Sequence, residues 1–255
     1  MSPTSIESHL QELTDNESSD FREIYRSTGT LPVTRRAMEQ LVDLAVGYMH
    51  RGAAPNPTRR DAALQRYRRR GLQVSGISDI RGLSPEDVDA VAGQLGFRYQ
   101  AMALGDTVPF ASAGVPGALA GLPALLGLSL RAVGEIATHY GFDATRAWER
   151  KFALLVLTTA VVNRPLDGES AAELARLMKV VPQQHENSEL PEKLEERIAQ
   201  ALVLHLVRDR LRGNPRSNVA FNKEFVDCVC ETVRRIYRER WLFERYRDRA
   251  AAAAE

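Results

Sequence analysis

Residues 106–143 read DTVPFASAGVPGALAGLPALLGLSLRAVGEIATHYGFD, and the rest of the chain is organised around this stretch. Its first part, residues 107–130, is 24 positions long and carries no charged side chain, in a protein whose residues are 26% charged. AGVP at residues 113–116 is repeated seven positions later as AGLP at residues 120–123. Small residues let helix backbones approach closely, whereas proline interrupts the helical hydrogen-bond ladder. The pattern predicts a broken, close-packed helical hairpin at the centre of the fold, carried by Pro109, Gly114, Pro116, Gly117, Gly121, Pro123 and Gly127.

The uncharged run is long enough to cross a bilayer, yet a straight spanning helix is not expected. Crossing takes about 20 predominantly apolar residues in one unbroken helix. Three prolines would each break such a helix, and Gly and Ala are only weakly apolar. Two interpretations of residues 107–130 therefore stay open. The run either docks on or inserts into a membrane, or it is buried within a helical bundle.

The sequence after Pro123 predicts an amphipathic helix that ends at Gly141. Leu126, Leu130, Val133, Ala137 and Tyr140 recur at helical spacing and form its apolar face. Arg131, Glu135 and His139 are spaced i, i+4 and i+8 on another face, and Asp143 and Arg146 follow the Gly141 turn. We predict a structural polar cluster of these five residues, in which the ladder joins the next helix through an Arg–carboxylate pair.

The remaining patterns are also helical. Ser84-Pro85-Glu86-Asp87 is a strong helix start, and apolar residues recur at helical spacing near residues 34–50, 84–104, 148–159, 190–212 and 222–250. No segment alternates with period two over a useful length. The prediction is an all-α bundle of about seven to eight helices, with a flexible acidic tail at 1–20, a helical region with a basic segment at 21–73 and a helical domain at 74–250.

Composition excludes some classes of function. The chain has 255 residues, 44% of them hydrophobic, with a formal net charge of +1, which argues against a general polyanion binder. The opening residues carry no pattern of a signal peptide, and the two cysteines, Cys228 and Cys230, are expected to be reduced thiols. Residues 58–70 contain six arginines; we favour a solvated helix face over a phosphate-binding patch.

The end of the last predicted helix has two interpretations. Residues 237–249 read YRERWLFERYRDR, in which aromatic rings alternate with arginines. Such a mixture suits a membrane interface, where rings sit at headgroup depth and guanidinium groups meet phosphates, through Tyr237, Arg240, Trp241 and Tyr246. In the alternative, Trp241 and Leu242 pack on the bundle while the arginines pair with neighbouring acids.

No catalytic motif occurs in the sequence. Glu135 with His139, and His205 with Asp209, are i, i+4 pairs that two facing helices could offer to a metal. A packed, hydrogen-bonded role is the favoured interpretation of both pairs. The sequence therefore assigns no catalytic residue, no metal ligand and no cofactor.

Several segments resemble the EcsC family of bacterial proteins. They are VSGISDIRGLSPEDVDAVAGQL at residues 74–95, the Gly/Pro stretch leading into LRAVGEIATHYGFD, WERKFALLVLTTA at residues 148–160 and RRIYRERWL at residues 234–242. The resemblance covers about residues 74–247. It implies an all-helical, membrane-associated protein whose name-giving member accompanies an ABC-type transporter, with no reaction or cofactor attached. A second Gly-rich stretch typical of the family reads GNPRSNVAFNKEF here, which keeps Asn222 but replaces most glycines.

Three classes of function follow. We favour a non-catalytic membrane-associated accessory protein that docks or inserts its Gly/Pro hairpin from the cytoplasmic side, peripheral to the membrane. The alternatives are a soluble hydrolase or metal-binding enzyme that uses Glu135 and His139, and a soluble helical interaction scaffold. The expected partners are membrane lipids or a membrane protein such as a transporter, with no specific nucleic acid.

Overall fold

The computed structural model describes residues 31–51, 57–105, 119–162, 192–212 and 218–252. These ranges form eight α-helices and one short 3-10 helix, and no strand occurs among them. In chain order the elements are α1 Leu31–Arg51, α2 Pro57–Arg68, the 3-10 helix Ile77–Gly82, α3 Pro85–Ala92, α4 Gln94–Gly105, α5 Leu122–His139, α6 Ala147–Val162, α7 Glu192–Arg212 and α8 Asn218–Ala252. The all-α prediction is confirmed.

Helix α5 lies at the centre of the bundle. It contacts α1, α2, α3, α4, α6, α8 and the 3-10 helix. Its buried set includes the predicted apolar face as well as Glu135 and His139 from the face predicted to be polar. Helices α1 and α2, which precede residue 74, therefore pack into the same core as the segments that follow it.

The structure shows why α3 begins after Ser84 and why α5 ends before Gly141. Ser84 caps α3, because its hydroxyl accepts a 3.1 Å hydrogen bond from the Asp87 N–H, and Pro85 follows at the first helical position. At the end of α5, Gly141 adopts φ +83°, while the Gly141 and Phe142 N–H groups bond back to the carbonyls of Thr138 and Ala137. This is a Schellman ending, which requires the left-handed conformation at Gly141.

The segment predicted as one helix over residues 84–104 is two helices, α3 and α4, separated at Gly93. A Cβ at Gly93 would lie 2.9 Å from the Asp89 carbonyl oxygen, so the glycine permits the close bend. Tyr140 in turn donates a 3.2 Å hydrogen bond to Asp89, and Tyr99 of α4 contacts Glu135 of α5. Asp89 thus contacts the later residue Tyr140, whereas Tyr99, further along the chain, contacts the earlier residue Glu135. The segment formed by α3 and α4 therefore runs antiparallel to α5.

Candidate functional site

The carboxylate of Glu135 joins three helices. It lies on α5 and is 8% exposed. Arg66 from α2 and Arg98 from α4 each donate through Nη1 to the same oxygen, Oε1, at 2.8 Å, and the Tyr99 hydroxyl donates to Oε2 at 2.5 Å. Burial raises the pKa of Glu135, but the hydrogen bonds from Tyr99 and Arg66 and the two positive charges outweigh it, so its pKa is held below the usual range. The carboxylate is ionised and fully engaged.

His139 is bonded through both ring nitrogens. Nε2 lies 3.0 Å from Arg66 Nη1, and Nδ1 lies 2.7 Å from the Glu135 carbonyl oxygen. A guanidinium group only donates, so Nε2 accepts and Nδ1 carries the proton that it donates to the carbonyl. Burial lowers the pKa of His139 to about 4, which keeps the ring neutral at pH 7. Neither nitrogen is free to transfer a proton to a substrate.

The cluster differs in membership from the predicted ladder. Glu135 and His139 are together, but the cations on the carboxylate come from α2 and α4. The backbone carbonyl of Arg131 accepts a 3.3 Å hydrogen bond from Tyr99, and its buried Nε has no acceptor among the described residues. Asp143 accepts from Thr145 N at 3.1 Å and Thr145 Oγ1 at 2.6 Å instead of joining Glu135. Arg146 is exposed.

A second buried cluster holds α8 against α6. Glu149 of α6 is 4% exposed and accepts from Arg240 Nη1 with both oxygens, at 3.0 and 2.9 Å, and from the Tyr237 hydroxyl at 2.8 Å. Arg240 Nε also donates to Glu244 at 3.1 Å. The guanidinium carbon lies 4.0 Å from the Phe142 ring centre, a cation–π contact.

This cluster bears on the two interpretations of α8. Tyr237, Arg240 and Trp241 are at most 8% exposed, so they face the bundle, whereas Tyr246 is 66% exposed. Arg235 pairs with Glu239 at 3.3 Å on the outer face. The contacts therefore follow the packing interpretation for three of the four residues that the sequence proposed for a membrane interface.

The Gly/Pro stretch is only partly described. Pro109, Gly114, Pro116 and Gly117 lie outside the described residues. Gly121 precedes α5, Pro123 lies in its first turn, and Gly127 lies within it. The run 107–130 is thus not one unbroken helix, because a turn at Gly121 separates residues 119–120 from α5. The hairpin itself stays a prediction.

Metal chemistry finds no support in the ranges that the structure covers. No group of three His, Cys, Asp or Glu side chains there could hold a metal ion. His205 lies on α7, which packs against α1 and α6, and its Nδ1 is 2.7 Å from Arg208 Nη2. The two histidine–carboxylate pairs of the sequence do not face each other across a shared site.

Two features were not singled out in the sequence. The first is the pair Arg98-Tyr99, which completes the Glu135 cluster. The second is the exposed face of α4, where Phe97 is 79% and Leu104 39% exposed and Ala101 between them is also exposed. The spacing of residues 97, 101 and 104 places them on one helix face, which is the signal that could have found it.

The protein is an all-α bundle. The buried ionic groups of the Glu135 and Glu149 clusters form hydrogen bonds and ion pairs between its helices. In comparison with known families, the model of the EcsC protein family matches residues 34–242. The chain belongs to the EcsC protein family. Comparison with curated proteins and with solved structures gave no match. Within the described ranges, no helix is both long and apolar enough for a bilayer crossing.

Proposed function

We propose that this chain is a non-catalytic, membrane-associated accessory protein that docks at the cytoplasmic surface of a membrane through the exposed face of α4 and the uncharged run after it. The observation that carries the proposal is the face formed by Phe97, Ala101 and Leu104. Isolated exposed apolar residues are ordinary on a soluble protein. Here the face runs along one helix directly towards residues 107–130, where no side chain is charged.

Exposed apolar side chains within that run are also consistent with docking. Ala120, which precedes α5, and Ala124, in its first turn, are exposed, and α4 runs in the opposite direction to α5. The end of α4 and the beginning of α5 therefore lie towards the same side of the bundle. Burying Phe97 would contribute about 2 kcal/mol, too little alone for stable binding, so the uncharged run must supply the rest.

The bonding of the polar groups favours this function over an enzyme. Glu135 accepts from three donors, and both nitrogens of His139 are engaged. A general acid or base must lie within hydrogen-bond reach of its substrate, and it must be able to give or take a proton there. Glu135 is buried against two cations and both nitrogens of His139 are already hydrogen-bonded, which argues against either side chain as a general acid or base.

Vesicle flotation tests the proposal. The wild-type protein should rise with vesicles that contain phosphatidylglycerol, and Phe97→Ser/Leu104→Ser should remain at the bottom of the gradient. Tyr246→Ser is the control, because it removes another exposed ring, 66% exposed against 79% for Phe97, from α8. All three proteins should have melting temperatures within a few degrees of each other, since exposed positions contribute little to stability. Failure of the wild type to float, or equal flotation of the double variant, would refute the proposal.

A further inference from the structure

Two arginines from different helices converge on one oxygen atom beside the exposed face of α4. Arg66 Nη1 and Arg98 Nη1 both lie 2.8 Å from Glu135 Oε1, so the two nitrogens are within twice that distance of each other. The arginine side chains are 31% and 40% exposed, whereas the Glu135 side chain is 6% exposed. The carboxylate thus holds both guanidinium groups through Nη1, while both arginine side chains stay partly exposed.

The charge at this point is not balanced. Two guanidinium groups share one carboxylate, and the neighbouring His139 and Tyr99 are neutral at pH 7, because burial lowers the pKa of the first and raises that of the second. One positive charge is left over. Two like charges held this close repel each other, and a second anion on the open side would relieve that repulsion.

The donors needed for such an anion are present. Among the described residues, the hydrogen bonds of Arg66 and Arg98 all use Nη1, so the Nη2 and Nε edges take no acceptor there. A guanidinium edge carries two parallel N–H groups, a geometry that matches two oxygens of a phosphate group. Fixing both side chains on Glu135 beforehand lowers the entropy cost of binding.

The setting of the two arginines favours lipid as the source of the phosphate. Phe97, which is 79% exposed, directly precedes Arg98, so neighbouring faces of α4 carry an exposed ring and a guanidinium group. At a membrane surface, rings enter the interface while arginines meet lipid phosphates. A soluble phosphate would use the arginines but would give the exposed ring no role.

We propose that Arg66 and Arg98, held in place by Glu135, bind the phosphate group of an anionic phospholipid at the docked surface. This inference rests on the proposed function, since the lipid reaches the two arginines only if the α4 face docks. Glu135 is a positioning residue in this arrangement, because it touches the arginines and not the lipid.

Two substitutions of Arg98 test the inference in quantitative binding to vesicles with and without phosphatidylglycerol. If the protein were held at the anionic membrane only by diffuse electrostatic attraction, removing one positive charge would weaken binding about fivefold. Arg98→Gln should lose more than tenfold on anionic vesicles. Arg98→Lys should also weaken binding, because lysine keeps the charge and a partner for Glu135 but lacks the planar fork. The control Arg235→Gln removes a 60% exposed arginine from α8 and should lose fivefold at most.

The outcomes separate this inference from the proposed function. If Arg98→Lys binds as the wild type does, or Arg98→Gln loses no more than Arg235→Gln, the attraction is diffuse and the inference fails. Equal binding to neutral and anionic vesicles that still depends on Phe97 would overturn the inference and leave the proposed function standing. Absence of binding to either vesicle would overturn both. Arg98→Lys retains a cation at Glu135, so its melting temperature checks that the bundle is intact.

Inorganic phosphate distinguishes the two sources of the anion. At equal ionic strength, replacing chloride by phosphate should neither displace the protein from anionic vesicles nor raise its melting temperature. An increase in melting temperature that is lost in Arg98→Gln would instead show a site for soluble phosphate and would overturn the assignment to lipid.

Discussion

Tyr237 and Glu149 are 88 positions apart in the sequence, yet the Tyr237 hydroxyl donates a 2.8 Å hydrogen bond to Glu149 Oε1 inside the bundle. Tyr237 is completely buried, and burial and the charge of Glu149 raise the pKa of its hydroxyl, so it stays protonated and can donate to Glu149. The bond ties α8 to α6. Tyr237, one of the four residues that could have formed a membrane interface, therefore joins two helices inside the bundle.

Tyr237→Phe should lower the free energy of unfolding by about 1 to 2 kcal/mol, because it removes a hydrogen bond to a buried ionised group while leaving the ring in place. Urea denaturation at pH 7 measures the change. Tyr246→Phe, at a position 66% exposed, is the matched control and should leave the midpoint unchanged. Equal midpoints for the two variants would mean that the buried bond contributes nothing to stability.

Arg240→Met should destabilise the bundle by about 3 to 5 kcal/mol, because it leaves Glu149 ionised and buried without its cation. Glu149→Gln/Arg240→Met should recover part of that loss, since position 149 is then uncharged and Glu244 keeps Arg81 at 3.1 Å. With Glu149→Gln alone as the third variant, a double-mutant cycle gives the coupling energy. A loss below about 1 kcal/mol in Arg240→Met is the result expected of a solvated arginine on an interfacial helix, and it would contradict the buried pair.

Stability should fall as the pH is lowered from 6.5 to 4.5, through His139. The pKa of His139 is about 4 in the folded protein against an ordinary value of 6.5, so in this range the unfolded chain binds one more proton. The contribution of His139 is fully present above about pH 6.5 and is lost as the pH falls towards the folded pKa. The whole shift corresponds to about 3 kcal/mol.

The comparison of wild type with His139→Gln isolates this effect. Urea denaturation at several pH values should give a shallower slope for the variant between pH 4.5 and 6.5. Glu135, whose pKa is lowered, loses its own contribution only at more acidic pH, and therefore does not account for a change in this window. Parallel pH profiles for the two proteins would argue against a neutral, buried His139.

Gly141→Ala should cost more stability than Gly71→Ala. Both glycines have positive φ, +83° and +79°, where a Cβ costs roughly 1 to 2 kcal/mol. Only at Gly141 would the new Cβ also meet other atoms, Arg81 Cγ at 2.8 Å and the Ile77 carbonyl oxygen at 3.2 Å. Thermal unfolding of the two variants therefore separates backbone strain from contact, and equal melting temperatures would show that the α5 ending tolerates the extra carbon.

Local chemistry explains which parts of the fold were predictable. The helix start at Ser84-Pro85 and the ending at Gly141 depend on residues within one turn, and both were found in the sequence. The break at Gly93 was missed, because the apolar spacing continues across it and only the Asp89 carbonyl makes the glycine necessary. The identity of the family was also recoverable, since its motifs are contiguous.

The ion pairs were not predictable in the same way. Arg66 meets Glu135 across 69 positions and Arg240 meets Glu149 across 91. The chain has 34 Lys and Arg side chains, and nothing in their local sequence says which carboxylate each one reaches. Spacing suggested i, i+4 partners for Glu135, whereas tertiary packing supplied two arginines from other helices. Such choices depend on how the helices pack against each other.

The position of α8 in the chain has a consequence for biosynthesis. This helix covers faces of α4, α5 and α6, and Tyr237 is made 98 residues after the end of α5 at His139. At translation rates of 5 to 20 residues per second, the apolar faces that α8 covers stay exposed for roughly 5 to 20 s after α5 has been made. The core therefore closes only well after α5 has been made, and aggregation of the nascent chain competes with folding during that interval.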